Sequence, residues 1–257
     1  MRNNSTWASW APSPIFWPPK AWNIPLTLLG LIGAPCAAVI PSLVYLIVEA
    51  YRGTIDARQP VHFTPDQVIA AQLIVYLPLG LYLLAVVPRL AQTSLHDLGL
   101  RRPTARDIGI GVLGTVVMYI GVSIAGGIIE TATHRHDTEL AVSILQQMKS
   151  PLEKLLFIIV ACVLAPIIEE LGFRVFLFNA LTRYTSILGA AIISGILFGA
   201  LHTDSAWGLL TISVPLAVGG FVLAYVYATT RCYWSNVTTH ALFNAISVVA
   251  IFFFHAK

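Results

Sequence analysis

The chain has 257 residues, 57% of them hydrophobic and only 11% charged, and its mean hydropathy is +0.78. A soluble globular domain carries about 25% charged residues, so this chain lacks the groups to hydrate a water-facing surface, and its wealth of burying residues excludes intrinsic disorder. A net charge of +3 with no basic run implies no nucleic-acid partner, and Cys36, Cys162 and Cys232 form neither a CxxC pair nor a disulfide framework. A polytopic membrane protein is the class that remains.

In chain order, Arg2 is followed by Trp7, Trp10, Pro12, Pro14, Trp17, Pro18 and Pro19 with no apolar run, which is not the pattern of a cleavable signal. With Trp22 these tryptophans suit the headgroup level, so residues 1–23 read as an interfacial segment. Seven apolar stretches follow, near 24–48, 67–88, 107–129, 152–178, 186–202, 208–229 and 237–254. Most have the ~20 residues that cross about 30 Å of hydrocarbon, and in lipid each must be a helix that satisfies its own backbone. Runs such as Leu155–Val160 show no period-two alternation, which excludes a barrel. The expected fold is all-α, a polytopic transmembrane helix bundle of about seven or eight spans. It forms one integral membrane domain over residues 1–257.

Polar joints separate the stretches. Arg89, Arg101, Arg102 and Arg106 make the second joint the most basic, which places it in the cytoplasm. With seven spans the N-terminus is then inside and the C-terminus outside, and the inside loops carry eight Lys/Arg against six outside. The third joint holds His134, Arg135, His136, Asp137 and Glu139 and reads as a solvated loop rather than a metal site. Small residues at close spacing, Ala191, Gly195 and Gly199 in the fifth stretch and Gly109, Gly111, Gly114 and Gly121 in the third, predict close helix packing.

Charges inside the spans concentrate in the fourth: Glu169, Glu170 and Arg174. Each costs roughly 2.5–3.5 kcal/mol at a helix centre on insertion scales. The three persist together only if they pair or line a wet cavity. Pro166 supports a break nearby, because it frees the Cys162 carbonyl of a regular helix. At about 100° per residue Glu170 and Arg174 lie about 40° apart, an i,i+4 pair, whereas Glu169 points about 140° away. Glu170 is the expected ion-pair partner and Glu169 the carboxylate left for chemistry. The fifth stretch ends Phe198–His202 and the seventh opens His240–Asn244, each an i,i+4 pair. Asn236 or Ser235 is the expected cap of that last helix. A carboxylate and a histidine can take a proton from water, and a second histidine with an amide can donate to the oxyanion of peptide hydrolysis. No serine or cysteine nucleophile is needed.

At these residues the chain resembles the CPBP family, the CAAX-protease and bacteriocin-processing (Abi, Rce1-like) intramembrane proteases. The pattern is Glu169-Glu170-x-x-x-Arg174, Phe198-x-x-x-His202 and His240-x-x-x-Asn244, in that order on separate spans within residues 151–254. The run Leu98 to Pro103 is similar to family members as well. The resemblance implies a cavity open to the cytosolic side, Glu169 and His202 activating water, His240 and Asn244 as oxyanion donors, and Glu170 with Arg174 in support. It implies a protein or peptide substrate, prenylated or membrane-associated, for a multi-pass protein of a prokaryotic plasma membrane. No cofactor is favoured. A zinc-dependent version would use Glu169, His202 and His240 as ligands, but neither histidine has an evident carboxylate behind it.

Other proteolytic patterns are missing. Ile192-Ile193-Ser194-Gly195 lacks the first glycine of a rhomboid Gly-x-Ser-Gly, no HExxH occurs, and Asp204 stands alone where an aspartyl dyad would need a pair. Two readings of other classes stay open: a transporter or proton relay through Glu169, Glu170, His202 and His240, and a non-catalytic immunity or scaffold protein that kept the site. The confinement of the ionisable cluster to the C-terminal half argues against transporter half-repeats.

Overall fold

The computed structural model describes residues 24–53, 64–91, 93–135, 137, 140–203 and 205–254; the interfacial segment expected over 1–23 lies outside them. Among the described residues the structure is helical without strands: α1 (Ile24–Tyr51), α2 (Pro65–Ala91), α3 (Ala105–Thr133), α4 (Leu140–Gln147), α5 (Pro151–Thr182), α6 (Ile187–Ala200), α7 (Gly208–Thr230) and α8 (Tyr233–Phe254). Six of these, all but α4 and α6, are long and apolar enough to cross a membrane. The chain is therefore a multi-pass integral membrane protein. The fifth apolar stretch is shorter than its sequence suggests: α6 has 14 residues, about 21 Å at 1.5 Å per residue. The third joint is not entirely loop, because it contains α4.

The bundle has its greasy residues outside as well as inside. On α3, Val112, Val116, Ile120 and Ile124 are exposed while Gly111, Gly114, Thr115 and Met118 are buried. In a bilayer the exposed stripe is solvated by lipid, and the small-residue face packs on protein. A Cβ added at Gly111 would lie 2.7 Å from the Ser235 carbonyl of α8, and Thr239 on α8 donates to the Gly111 carbonyl at 2.8 Å. The α6–α7 seam is tighter. A Cβ at Gly195 would lie 2.7 Å from the Ala217 carbonyl and 2.8 Å from the Phe221 nitrogen, and one at Gly199 would overlap the Ser213 carbonyl. Gly109, by contrast, faces open space.

Both ends of the bundle are tied. At one end the Arg-rich joint docks on the α7–α8 turn. Gly99, at φ +88°, accepts from the Tyr233 nitrogen at 2.9 Å, and a Cβ there would lie 3.1 Å from the Arg231 carbonyl. Tyr227 donates to the Leu98 carbonyl at 2.8 Å, and Arg101 grips Asp107 with two bonds of 2.7 and 2.8 Å. That carboxylate lifts the Arg101 guanidinium above its usual range. At the other end Arg135 lies over Trp207 at 4.2 Å and Thr211 donates to Asp137 at 2.8 Å. Among the described residues the first end carries Arg89, Arg101, Arg102, Arg106, Arg183 and Arg231, and the second Arg52, Arg135, Lys149 and Lys154. His202 sits at the α6 end remote from the Arg-rich joint.

Candidate active site

The site starts from an irregular helix. α5 is regular over Pro151–Ile159, passes into a π-helix over Val160–Leu164, returns to α over Ala165–Glu170, and becomes π again over Leu171–Phe178. In the first π stretch the Ala165 N–H reaches back five residues to Val160. One residue on, the same register sets Pro166, which has no N–H, against the Ala161 carbonyl. The orphaned carbonyl is thus Ala161's and not the Cys162 carbonyl that a regular helix predicts. Asn244 of α8 fills the gap, its side-chain amide donating to Ala161 at 2.7 Å.

The second π stretch begins just after the two glutamates. Glu170 and Arg174 are both fully buried, with Arg174 Nε 3.2 Å from Glu170 Oε2. The contact is ionic rather than an aligned hydrogen bond, since Arg174 Nε and Nη1 lack hydrogen-bond acceptors. Arg174 donates instead to the Gly220 carbonyl at 3.0 Å, and its guanidinium lies 4.9 Å from the Phe198 ring centre and 5.5 Å from that of Phe173. Glu170 also receives the Asn236 amide at 2.9 Å and His240 Nδ1 at 3.0 Å. An ionised carboxylate only accepts, so the proton of that last bond is assigned to Nδ1.

Glu169 is placed differently. Its side chain is 17% exposed while that of Glu170 is 0%. Tyr76 of α2 donates to its Oε1 at 2.7 Å, and its Oε2 lies 3.9 Å from His240 Nε2. That separation is too long for a direct hydrogen bond. The sequence separated the two carboxylates by helical angle, and in the structure Glu170 lies in the buried ion cluster while Glu169 stands outside it. The angle itself changes, because an i→i+5 register draws residues five apart, such as Glu169 and Arg174, toward one face.

His202 and His240 meet the same ring. Phe198, buried, lies 4.5 Å from the His202 ring and 5.5 Å from the His240 ring between centres. His202 Nδ1 donates to the Phe198 carbonyl at 2.6 Å, and among the described residues its Nε2 has no hydrogen-bond partner. His240 is therefore the histidine beside Glu169, with His202 across Phe198 and Asn244 one turn beyond His240 on α8. Contrary to the sequence expectation, His240 does have a carboxylate behind it, Glu170 at Nδ1; among the described residues no group of three or more His, Cys, Asp or Glu side chains is placed to hold a metal ion. Residues 136, 138 and 139 of the third joint and Asp204 lie outside the described residues.

Two members of the site were not legible as such. Asn236, expected as a helix cap, lies inside α8, which begins at Tyr233. Its amide holds Glu170 and the Leu223 carbonyl, the latter at 2.8 Å. Ser235 likewise is inside the helix. Tyr76 lies in the middle of an apolar span and carries no signature of its own.

Residues 151–246 match the family described as type II CAAX prenyl endopeptidase Rce1-like. YdiL of Bacillus subtilis (strain 168), whose name describes a membrane peptidase, is 28% identical over 158 residues, which cover 58% of this chain and 60% of YdiL. The UPF0177 protein YxdF of Lactococcus lactis subsp. lactis (strain IL1403) is 29% identical over 89 residues, 35% of this chain and 46% of YxdF. The chain thus spans only about half to three-fifths of the curated relatives it matches. No solved structure matches it.

Proposed function

We propose, on the match of residues 151–246 to the Rce1-like family, that the chain is an intramembrane endopeptidase in which Glu169 activates a water molecule to hydrolyse a peptide bond. The observation that carries the reading is the division of labour between adjacent carboxylates. Glu170 is consumed by Arg174, Asn236 and His240, and Glu169 stands outside the ion cluster with His240 Nε2 3.9 Å from its Oε2. A polar gap of that size is one a water bonded to both groups can bridge.

In this mechanism Glu169 takes a proton from the water as it attacks the scissile carbonyl, and returns it to the leaving amine. Glu170 acts on His240 as the orienting carboxylate of a catalytic triad does, fixing ring orientation and keeping the proton on Nδ1. His202 works with Glu169 on the water through its free Nε2. His240 and Asn244 serve the oxyanion. Asn244 has two amide hydrogens, and the one not engaged by Ala161 remains for this task. His240 donates to the oxyanion from Nε2 when both ring nitrogens carry a proton. No step requires a metal. The substrate is a protein or peptide segment that reaches the site from the bilayer or its surface; a prenylated C-terminus, a leader peptide and a membrane-protein segment all fit this chemistry.

The test is peptide proteomics on membranes from cells expressing the wild type or Glu169→Gln. The proposal expects cleavage products present with the first and absent with the second at equal membrane abundance. Identical peptide maps would overturn it.

A further inference from the structure

Glu169 can act as a base only if one carboxylate oxygen is kept free and aimed. Among the described residues two side chains approach it: Tyr76 at 2.7 Å on Oε1 and His240 at 3.9 Å on Oε2. The short contact comes from the one helix of the site that lies outside residues 151–254, namely α2. We infer that Tyr76 is a positioning residue for Glu169, its hydroxyl holding the Oε1 edge so that Oε2 faces His240; the inference rests on the hydrolytic reading of Glu169.

The packing gives the hydroxyl a fixed base. The Tyr76 ring packs against two of the three buried clusters. One includes Ile168, Leu171 and Val175, and the other Phe157, Val160 and Cys162. The phenol therefore spans both sides of the first π stretch and the α turn that carries the glutamates. One turn further along α2, Gly80 brings the two helices together: a Cβ there would lie 2.5 Å from Ile168 Cδ1, on the residue preceding Glu169. A donor on a rigid neighbouring helix limits rotation of the carboxylate, which a flexible three-torsion side chain at a half-wet position otherwise explores. It occupies one oxygen and leaves the other for water.

The hydroxyl can be removed without the ring. A hydrogen bond to an ionised group contributes about 1.5–3 kcal/mol, or roughly a ten- to hundredfold change. With a quenched-fluorescent peptide carrying a cleavage sequence found by comparing wild-type and Glu169→Gln membranes, Tyr76→Phe should lower kcat by about ten- to a hundredfold. KM should stay unchanged, and the melting temperature in detergent should fall only by the few degrees that one lost bond accounts for. On a Glu169→Asp background, whose shorter acid does not reach the phenol, the same substitution should add little. A substrate-free measurement reads the same contact: labelling of Glu169 by dicyclohexylcarbodiimide, followed by mass spectrometry, should proceed about tenfold faster in Tyr76→Phe. Unchanged kcat and unchanged labelling would overturn the inference, and so would a loss of activity fully accounted for by a smaller folded fraction at the assay temperature. Wild-type turnover by Glu169→Gln would instead remove the hydrolytic reading itself.

Discussion

Arg174→Ala tests whether the centre of the molecule is an ion cluster that no member can leave. The substitution removes the 3.2 Å contact to Glu170 Oε2, the 3.0 Å bond to the Gly220 carbonyl and the cation contacts with Phe198 and Phe173. Glu170 has no exposure to water, so it is left as a buried carboxylate facing one amide and one imidazole. Breaking a buried pair from one side costs about 3–5 kcal/mol, out of a total stability of about 5–15 kcal/mol. For a chain of this size each kcal/mol shifts the midpoint by about 2–4 °C, so a fall of roughly 6–20 °C is expected. The assay is thermal unfolding of the purified protein in detergent. Arg174→Met keeps much of the volume and should fall nearly as far. Glu170→Gln combined with Arg174→Met removes both charges and should recover most of the loss, because no unpaired charge remains. A melting temperature within about 2 °C of wild type for Arg174→Ala would refute the reasoning, and so would a double variant that is worse than the single one.

His202→Ala and His240→Ala should each abolish measurable cleavage with little loss of expression, read by the same proteomic comparison as Glu169→Gln. Asn244→Leu leaves the Ala161 carbonyl without its donor and should lower the melting temperature by an amount matching about 1–3 kcal/mol, measured in the detergent assay. Gly195→Ile drives a side chain into the α7 backbone at Ala217 and Phe221 and should reduce the yield of folded protein, read as monodisperse material on size exclusion. Gly99→Ala places a Cβ at φ +88° and 3.1 Å from the Arg231 carbonyl. It should cost about 1–2 kcal/mol, visible as a lower midpoint in the same melt.

Most of the architecture was legible because lipid imposes a simple rule on sequence: a span is a run of about 20 apolar residues, and the long helices fall within a few residues of the predicted stretches. The glycine faces were legible for the same reason, since small residues at four-residue spacing have no other use in an apolar helix. Gly195 and Gly199 meet the α7 backbone as expected, and Gly109 shows that a glycine off that face carries no such information. The charged cluster was legible because an intramembrane charge is expensive enough to require a partner, and Glu170 with Arg174 is the partnership that helical spacing selects. Tyr76 escaped because a tyrosine in an apolar span is ordinary packing material; only the docking of α2 at Gly80 makes its hydroxyl a neighbour of Glu169. Asn236 escaped because an asparagine near a predicted helix start reads first as a cap, and α8 begins three residues earlier than Asn236.

The departure from regular α-helix in α5 is what sequence periodicity could least supply, and it bears most on the site. A regular helix through Pro166 leaves the Cys162 carbonyl open and rotates Glu169 well away from Arg174. Inserting π turns on both sides of Ala165–Glu170 moves the open carbonyl to Ala161, where Asn244 reaches it at 2.7 Å. Asn244 lies one helical turn from His240, so the bond that satisfies the broken backbone of α5 also fixes the register of α8 beside it. That register sets His240 Nδ1 on Glu170 and Nε2 toward Glu169. Proline, π turns and amide thus form one device, in which a backbone defect on one helix is used to align the face of another that carries His240 and Asn244. A defect of this kind is typical of functional sites on helices, and its sequence signal is the pairing of Pro166 with a polar side chain on a different span, which no single-helix pattern contains.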